Sequence, residues 1–252
     1  MAKHTVFDPN RDDPFILSRT GIDEFLDCPK CFYLKRRLGL AFPKSFPLTL
    51  AIATDAILKN EFDEIRRNRH QKHHVWKENK LKVCTFSHQD LGNWRNNFRG
   101  IRYLHVPTNQ LVFGAVDDIW QNLETNKIHI VDYKSTSKKA DPDIESGWGF
   151  GYKRQMEIYQ WLFHQNGFDV SEVGYFLYIN GRKDTGFYET DQNGETVGRM
   201  LFKTNLIPYS GNFDWVDGIL CQCKATLEGS TLPKASDHCD RCRYFSQRGQ
   251  IE

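Results

Sequence analysis

No apolar run in these 252 residues approaches the length needed to span a bilayer. The opening residues, Met1 to Asn10, lack the apolar stretch of an export signal. Strong charge of either sign is also missing: the net formal charge is +2. Bulk electrostatics therefore neither demand nor exclude nucleic acid, and only a local basic patch can argue for it. No internal repeat and no low-complexity block is found. Together these absences predict a cytoplasmic α/β protein with no membrane partner. The seven cysteines then read as metal ligands or buried thiols, not as a disulfide framework. Aromatic residues, at 13%, are plentiful enough to build a core or to stack on bases.

The organising stretch runs from Leu111 to Lys134. Leu111–Trp120 and Ile128–Lys134 read as two central strands joined by a turn at 123–127. Both carry acid into a sheet. Asp132 and Lys134 stand two positions apart, so they share a face. A buried carboxylate is costly unless it is paired or binds a metal. An Asp132–Lys134 salt bridge is the plain alternative. On the first strand both faces are apolar, so alternation cannot choose between Asp117 and Asp118.

Around this centre the spacing predicts helices from Ser18 or Thr20 to Cys28, over 48–69, near 90–98, over 152–166 closed by Gly167, and over 213–227. The helix over 48–69 should bury Ile52, Ala56, Ile57, Phe62 and Ile65. The segment 66–82 reads as a solvated polar loop, with a phosphate-contacting patch as the sharper alternative. Further strands are expected at 101–106, 173–179 and 186–189, a helix from Gln192 to Leu206, and a loop over 229–252. Lys138, Lys139, Lys153 and Arg154 are candidate phosphate contacts, while Lys35, Arg36 and Arg37 lie beside Cys28 and Cys31. Trp148, Phe150 and Tyr152 are candidate stacking surfaces, or a loop packed on its own sheet.

Two Cys-x-x-Cys pairs, Cys28 with Cys31 and Cys239 with Cys242, lie near opposite ends of the chain. Four thiolates suit Zn²⁺ or an iron–sulfur cluster. Such a site would staple the segment 18–40 to 213–245 around a core of about 48–190, giving one domain over 1–252. Cys84 reads as a buried thiol, and Cys221 and Cys223 stay unassigned.

Gly114-x-x-Asp117, Asp132-x-Lys134 and Gln155-x-x-x-Tyr159 occur in that order over about residues 111–160. The pattern resembles the PD-(D/E)XK nuclease superfamily in its RecB-like branch, which includes CRISPR-associated exonucleases and AddB-type nuclease domains with a cysteine metal site. The resemblance implies a restriction-endonuclease-like α/β core, with a central mixed sheet flanked by helices. It selects Asp117 over Asp118. It implies DNA hydrolysis, as an exonuclease, with Mg²⁺ or Mn²⁺ on Asp117, Asp132 and the carbonyl of Tyr133. Lys134, Gln155 and Tyr159 would complete the catalytic set, and Lys153 and Arg154 would meet DNA. The family's upstream helix supplies a histidine, whereas the helix here offers Asp55 or Glu61. The family's cysteine site is a [4Fe–4S] cluster on one N-terminal and three C-terminal cysteines. The two-plus-two set here keeps Zn²⁺ open. DNA repair, recombination, and CRISPR or phage-related processing are the implied settings, with a helicase or another DNA-processing protein as partner. A non-catalytic DNA-binding or scaffold subunit that keeps the fold is the alternative.

Overall fold

A computed structural model describes residues 6–43, 46, 48–68, 72–147 and 149–251. Trp148, Pro47, Arg69 and the first five residues of the leader lie outside them.

A five-stranded mixed sheet forms the centre. Its order is β10 (Phe202–Ser210), β7 (Val173–Gly181), β6 (Ile128–Thr136), β5 (Asp118–Asn122) and β2 (Val83–Thr85). β6 and β7 are parallel and the other pairs antiparallel. The parallel pair requires a crossover, and α6 (Gly149–Gln165) provides it. Alternation along β6 divides its side chains. Ile128 and Ile130 join the core under α6, while Val131 and Tyr133 join the core under α3 (Thr49–Asn68). Asp132 and Lys134 therefore face α6. The expected mixed α/β core with helices on both faces is present.

The reading of Leu111–Trp120 as one strand is corrected. The run breaks at residues 115–117. Its first half, β4 (Gln110–Gly114), belongs to a separate three-stranded sheet with β1 (Phe15–Ser18) and β3 (Ile101–His105). Its second half is β5 of the central sheet. Asp117 thus sits in the break, free of any ladder, and strand alternation does not govern it.

Ser18 caps α1 (Arg19–Asp27) as expected, accepting from the Gly21 amide at 3.1 Å. Gly167 closes α6 with φ +83°, a conformation that costs glycine little. The buried stripe of α3 is Thr54, Leu58 and Phe62, at i, i+4 and i+8; Ile52, Ala56 and Ile57 face outward instead. Phe62 is fully buried against Trp76, Trp120 and Tyr133. Burying one such ring contributes about 1.5–3 kcal/mol.

Three further expectations fail. The segment 66–82 is not all loop: α4 (His74–Glu78) buries Val75 and Trp76. The segment 192–206 is not a helix. β8 (Tyr188–Thr190) and β9 (Thr196–Gly198) form a hairpin, and β10 follows as an edge strand. Pro208 fits there because an edge position needs no second ladder partner. The tail carries α8 (Asp240–Arg248), after α7 (Val216–Glu228). Among the described residues no helix is long and apolar enough to cross a membrane.

Candidate active site

Asp132 is 1% exposed, on the face of β6 covered by α6. Its Oδ1 accepts from Gln155 Nε2 at 2.7 Å. Its Oδ2 is ion-paired with Lys134 but receives no well-directed hydrogen bond. Gln155 Oε1 accepts from Lys134 Nζ at 3.2 Å, and Gln155 Nε2 also donates to Tyr159 Oη at 3.1 Å. Lys134 Nζ lies 4.4 Å from the centre of the Tyr152 ring, a cation–π distance. Asp132, Lys134, Gln155 and Tyr159 therefore form one buried polar chain. The salt bridge weighed as the plain alternative is present, but inside a larger network.

Gly114 makes room for that chain. A Cβ there would come within 2.6 Å of the Tyr159 ring, so any side chain would push Tyr159 and Gln155 aside. This is the physical content of the glycine in Gly-x-x-Asp.

Asp117 arrives from the break between the two sheets. Its Oδ2 accepts from the Tyr133 backbone amide at 2.9 Å. In a strand, N–H and C=O of one residue point to the same side. The Tyr133 carbonyl is thus directed towards Asp117, as a shared ligand set requires. The other oxygen, Oδ1, meets Lys59 Nζ at 3.2 Å, and Lys59 also holds Asp55 Oδ2 at 2.9 Å. Nothing in sequence spacing singled out Lys59. Its i, i+4 relation to Asp55 was the one available signal.

Asp118 has a different fate. It is fully buried, and its Oδ1 accepts from Arg66 and Arg95 at 2.6 Å each and from the Ile119 amide at 2.8 Å. Its Oδ2 accepts from Tyr133 Oη at 3.0 Å. A buried carboxylate held by two guanidinium groups, an amide and a phenol is committed to structure, not to an ion. The two neighbouring acids are thereby told apart.

Burial shifts the ionisable groups. Burial, reinforced by the charge of Asp117, pushes Asp132 up to about 6 although Lys134 opposes it. Asp55 is raised by burial and by Asp117. For Lys134, burial favours the neutral amine, but Asp132 and Asp117 outweigh it and keep it protonated. It can donate and supply charge, but it is no general base.

The donors fit a hard divalent ion. Asp117 meets the backbone of Tyr133, the neighbour of Asp132, and Asp132 Oδ2 has no hydrogen bond to lose; carboxylate and carbonyl oxygens are the donors such an ion prefers. Asp55 shares Lys59 with Asp117, whereas Glu61 turns to His73 instead, at 2.8 Å. Glu61, His73 and His74 also bring donor atoms together. However, His73 Nδ1 accepts from the Val75 amide at 3.3 Å, which puts the ring proton on Nε2. A protonated Nε2 has no lone pair for an ion, so this group reads as a helix cap.

The charges at Lys153 and Arg154 are already engaged. Lys153 pairs with Glu145 at 2.6 Å, and Arg154 with Asp23 at 3.0 Å and Asp27 at 2.7 Å. Arg36 and Lys35 are held by Glu24. Arg19 lies close enough to feel both Tyr159 and Asp132, and is a half-buried cation that sequence reading passed over. Phe150 is exposed, while Tyr152 packs towards Phe176.

The four cysteines converge although their pairs lie more than two hundred residues apart. Cys28 and Cys242 sulfurs are 3.7 Å apart, Cys31 and Cys239 3.6 Å, and Cys31 and Cys242 3.5 Å. Thiolates sharing one tetrahedral ion, at bonds of about 2.3 Å, stand about 3.8 Å apart. Thiolates on the separate irons of a cluster stand farther apart. The set therefore fits a single ion. Burial opposes ionisation of Cys28, yet amide hydrogen bonds from Cys31 and Ser236 lower it to about 7. Cys84, Cys221 and Cys223 lie outside this group.

No curated protein compared with the chain matches it. The family description of the PD-(D/E)XK nuclease superfamily matches residues 47–247. That span takes in the upstream helix, both acids, the lysine and the glutamine helix, on a restriction-endonuclease-like fold. The chain belongs to the PD-(D/E)XK nuclease superfamily, and its function is of the nuclease type.

Proposed function

We propose that this protein is a divalent-metal-dependent DNA nuclease of the RecB-like branch, acting as an exonuclease. The observation that carries the reading is the meeting of Asp117 with the Tyr133 amide beside the Asp132–Gln155–Lys134 chain. Asp117, Asp132 and the Tyr133 carbonyl would hold Mg²⁺ or Mn²⁺, with Asp55 as a further ligand. Bound there, the ion would polarise the phosphoryl oxygen and lower the pKa of the attacking water. Lys134, protonated, stabilises negative charge growing on the phosphoryl group. Gln155 fixes both Asp132 and Lys134, and Tyr159 braces Gln155 from behind. Exonuclease action, and a role in repair, recombination or CRISPR and phage-related processing beside a helicase-type partner, rest on the resemblance to the RecB-like branch.

The cysteine group supports a structural Zn²⁺ that ties α2 (Pro29–Arg36) to α8. The sulfur separations favour one ion over a [4Fe–4S] cluster. On this reading the chain is one domain, stapled across its ends.

A non-catalytic DNA-binding subunit is the second reading, favoured by Lys59, whose ammonium already bridges Asp55 and Asp117. The two readings part in a cleavage assay with Mg²⁺ on linear DNA. The catalytic reading expects Asp132→Ala to lose at least a hundredfold in rate. Equal rates for variant and wild type reject it.

A further inference from the structure

A cleft of about 680 Å³ opens where the C-terminal ends of β6 and β7 meet β10. Five cationic side chains line it: Lys138, Lys139, Arg182, Lys183 and Lys203. Two carboxylates accompany them, leaving an excess of three positive charges. Asp184 takes Arg182 in a two-pronged pair at 2.7 and 3.0 Å, and Asp141 takes Lys203 at 2.6 Å. Lys139 and Lys183 make no ion pair with a carboxylate among the described residues. The uncompensated charge is thus concentrated on the two segments that form the cleft's walls.

The cleft is built, not a chance gathering of surface lysines. Asn180 is buried, and its side chain binds both faces of the 138–140 turn. Its Oδ1 accepts from the Lys138 amide at 2.9 Å. Its Nδ2 donates to the Lys138 carbonyl at 3.1 Å and to that of Ala140 at 3.4 Å. The wall bearing Lys138 and Lys139 is therefore fixed to β7. Three and four residues along the chain from Asp184, which lines the cleft, Phe187 and Tyr188 at the foot of the β8–β9 hairpin are largely exposed, their ring centres 5.1 Å apart. The hairpin returns to the cleft through Leu201, whose carbonyl accepts from the Arg182 amide at 2.8 Å.

The position relates this cleft to the acid centre. Lys134 and Lys138 lie on one continuous stretch. Four residues of chain reach at most about 13 Å, so the cleft wall lies within a few nucleotides of the acid centre. Lysines without a carboxylate partner, beside exposed aromatic faces, make the combination that holds a single strand: phosphates on lysines and bases on rings. A duplex presents no unstacked base to such rings.

We infer that the cleft holds a single-stranded nucleic acid segment adjoining the scissile phosphate, with Lys139 and Lys183 on its phosphates and Phe187 and Tyr188 on its bases. The inference rests on the nuclease reading for the direction of the strand, but its test does not depend on cleavage.

The test is fluorescence anisotropy of the full-length protein with a labelled single-stranded 20-mer, without added divalent cation, over a salt series. Replacing two phosphate contacts should flatten the dependence of log affinity on log salt by about 1.4, from about 0.7 for each contact on a single strand. The Lys139→Ala/Lys183→Ala variant is expected to show that flattening and at least a tenfold weaker affinity, and Lys139→Arg/Lys183→Arg to keep the wild-type slope. Phe187→Ala/Tyr188→Ala is expected to weaken single-strand binding and leave duplex binding alone. Thermal unfolding confirms that each variant folds. Unchanged affinity and slope in the double lysine variant would overturn the proposal, as would equal losses for single strand and duplex in the aromatic variant. An inactive enzyme with an intact slope change would instead count against the nuclease reading alone.

Discussion

Lys59 reaches from α3 to Asp117, 3.2 Å away in the break between the two sheets, while holding Asp55 on its own helix at 2.9 Å. A cation thus bridges two of the acids proposed to bind metal. It relieves their mutual repulsion in the ion-free protein, and it repels an incoming dication. Lys59→Met is expected to bind Mn²⁺ about tenfold more tightly in calorimetry, a gain of about 1.4 kcal/mol. Its ion-free melting temperature should fall and its gain on adding Mn²⁺ should grow. Unchanged affinity would show that Lys59 does not compete with the ion.

Asp117 and Asp118 should respond oppositely to the same change. Asp118→Asn strips the counter-charge from Arg66 and Arg95 in a buried setting. Breaking such a pair costs about 3–5 kcal/mol, which is a fall of roughly 6–20 °C in a chain of this size. Asp117 is only partly buried, so Asp117→Asn should melt within a few degrees of wild type and lose its activity. Melting curves beside cleavage rates make the comparison. A stable Asp118 variant that is inactive would reverse the assignment.

The raised Asp132 gives a pH dependence with a definite sign. Its folded value, about 6, lies above the ordinary 3.8. Between roughly pH 4 and 6 the native state therefore holds a proton that the unfolded chain has released, so the ion-free protein loses stability as pH rises through that window. An ion needs the carboxylate and competes with that proton. The rise in melting temperature caused by Mn²⁺ should accordingly be small at about pH 5 and large at about pH 7. A shift independent of pH over this range would contradict the placement of Asp132 in the metal site.

Zinc at the cysteines would make the ends of the chain interdependent. Cys239→Ser, or a strong chelator, should lower the melting temperature and open the segment after Gly229 to proteolysis. Metal analysis should give one zinc per chain and a colourless protein. A brown preparation containing several irons per chain would replace the single ion with a cluster.

Much of the centre was legible because its signals are local. Asp132 with Lys134 follows from strand alternation, and Gln155 with Tyr159 from helical spacing. The capping roles of Ser18 and Gly167 follow from local chemistry too. What escaped depends on contacts distant in sequence. Leu111–Trp120 reads as one apolar run, and only the pairing of its halves with different sheets exposes the break that frees Asp117. The buried stripe of α3 was misplaced because a helix with apolar residues on two sides does not reveal which side meets the sheet. The strand at Phe202–Ser210 was hidden by Pro208, which an edge position tolerates. Arg66 and Arg95 gave no hint of Asp118, because their three-way contact spans three separate segments.

The most direct test of the central claim is single-turnover cleavage of labelled linear DNA in Mg²⁺ by wild type and by Lys134→Ala, with Mn²⁺ binding followed in parallel. Lys134 is proposed to act on the phosphoryl group without being a metal ligand. The account predicts a rate lower by about 10²–10³, with the ion still bound. A Lys134→Ala protein that cleaves at the wild-type rate would contradict it.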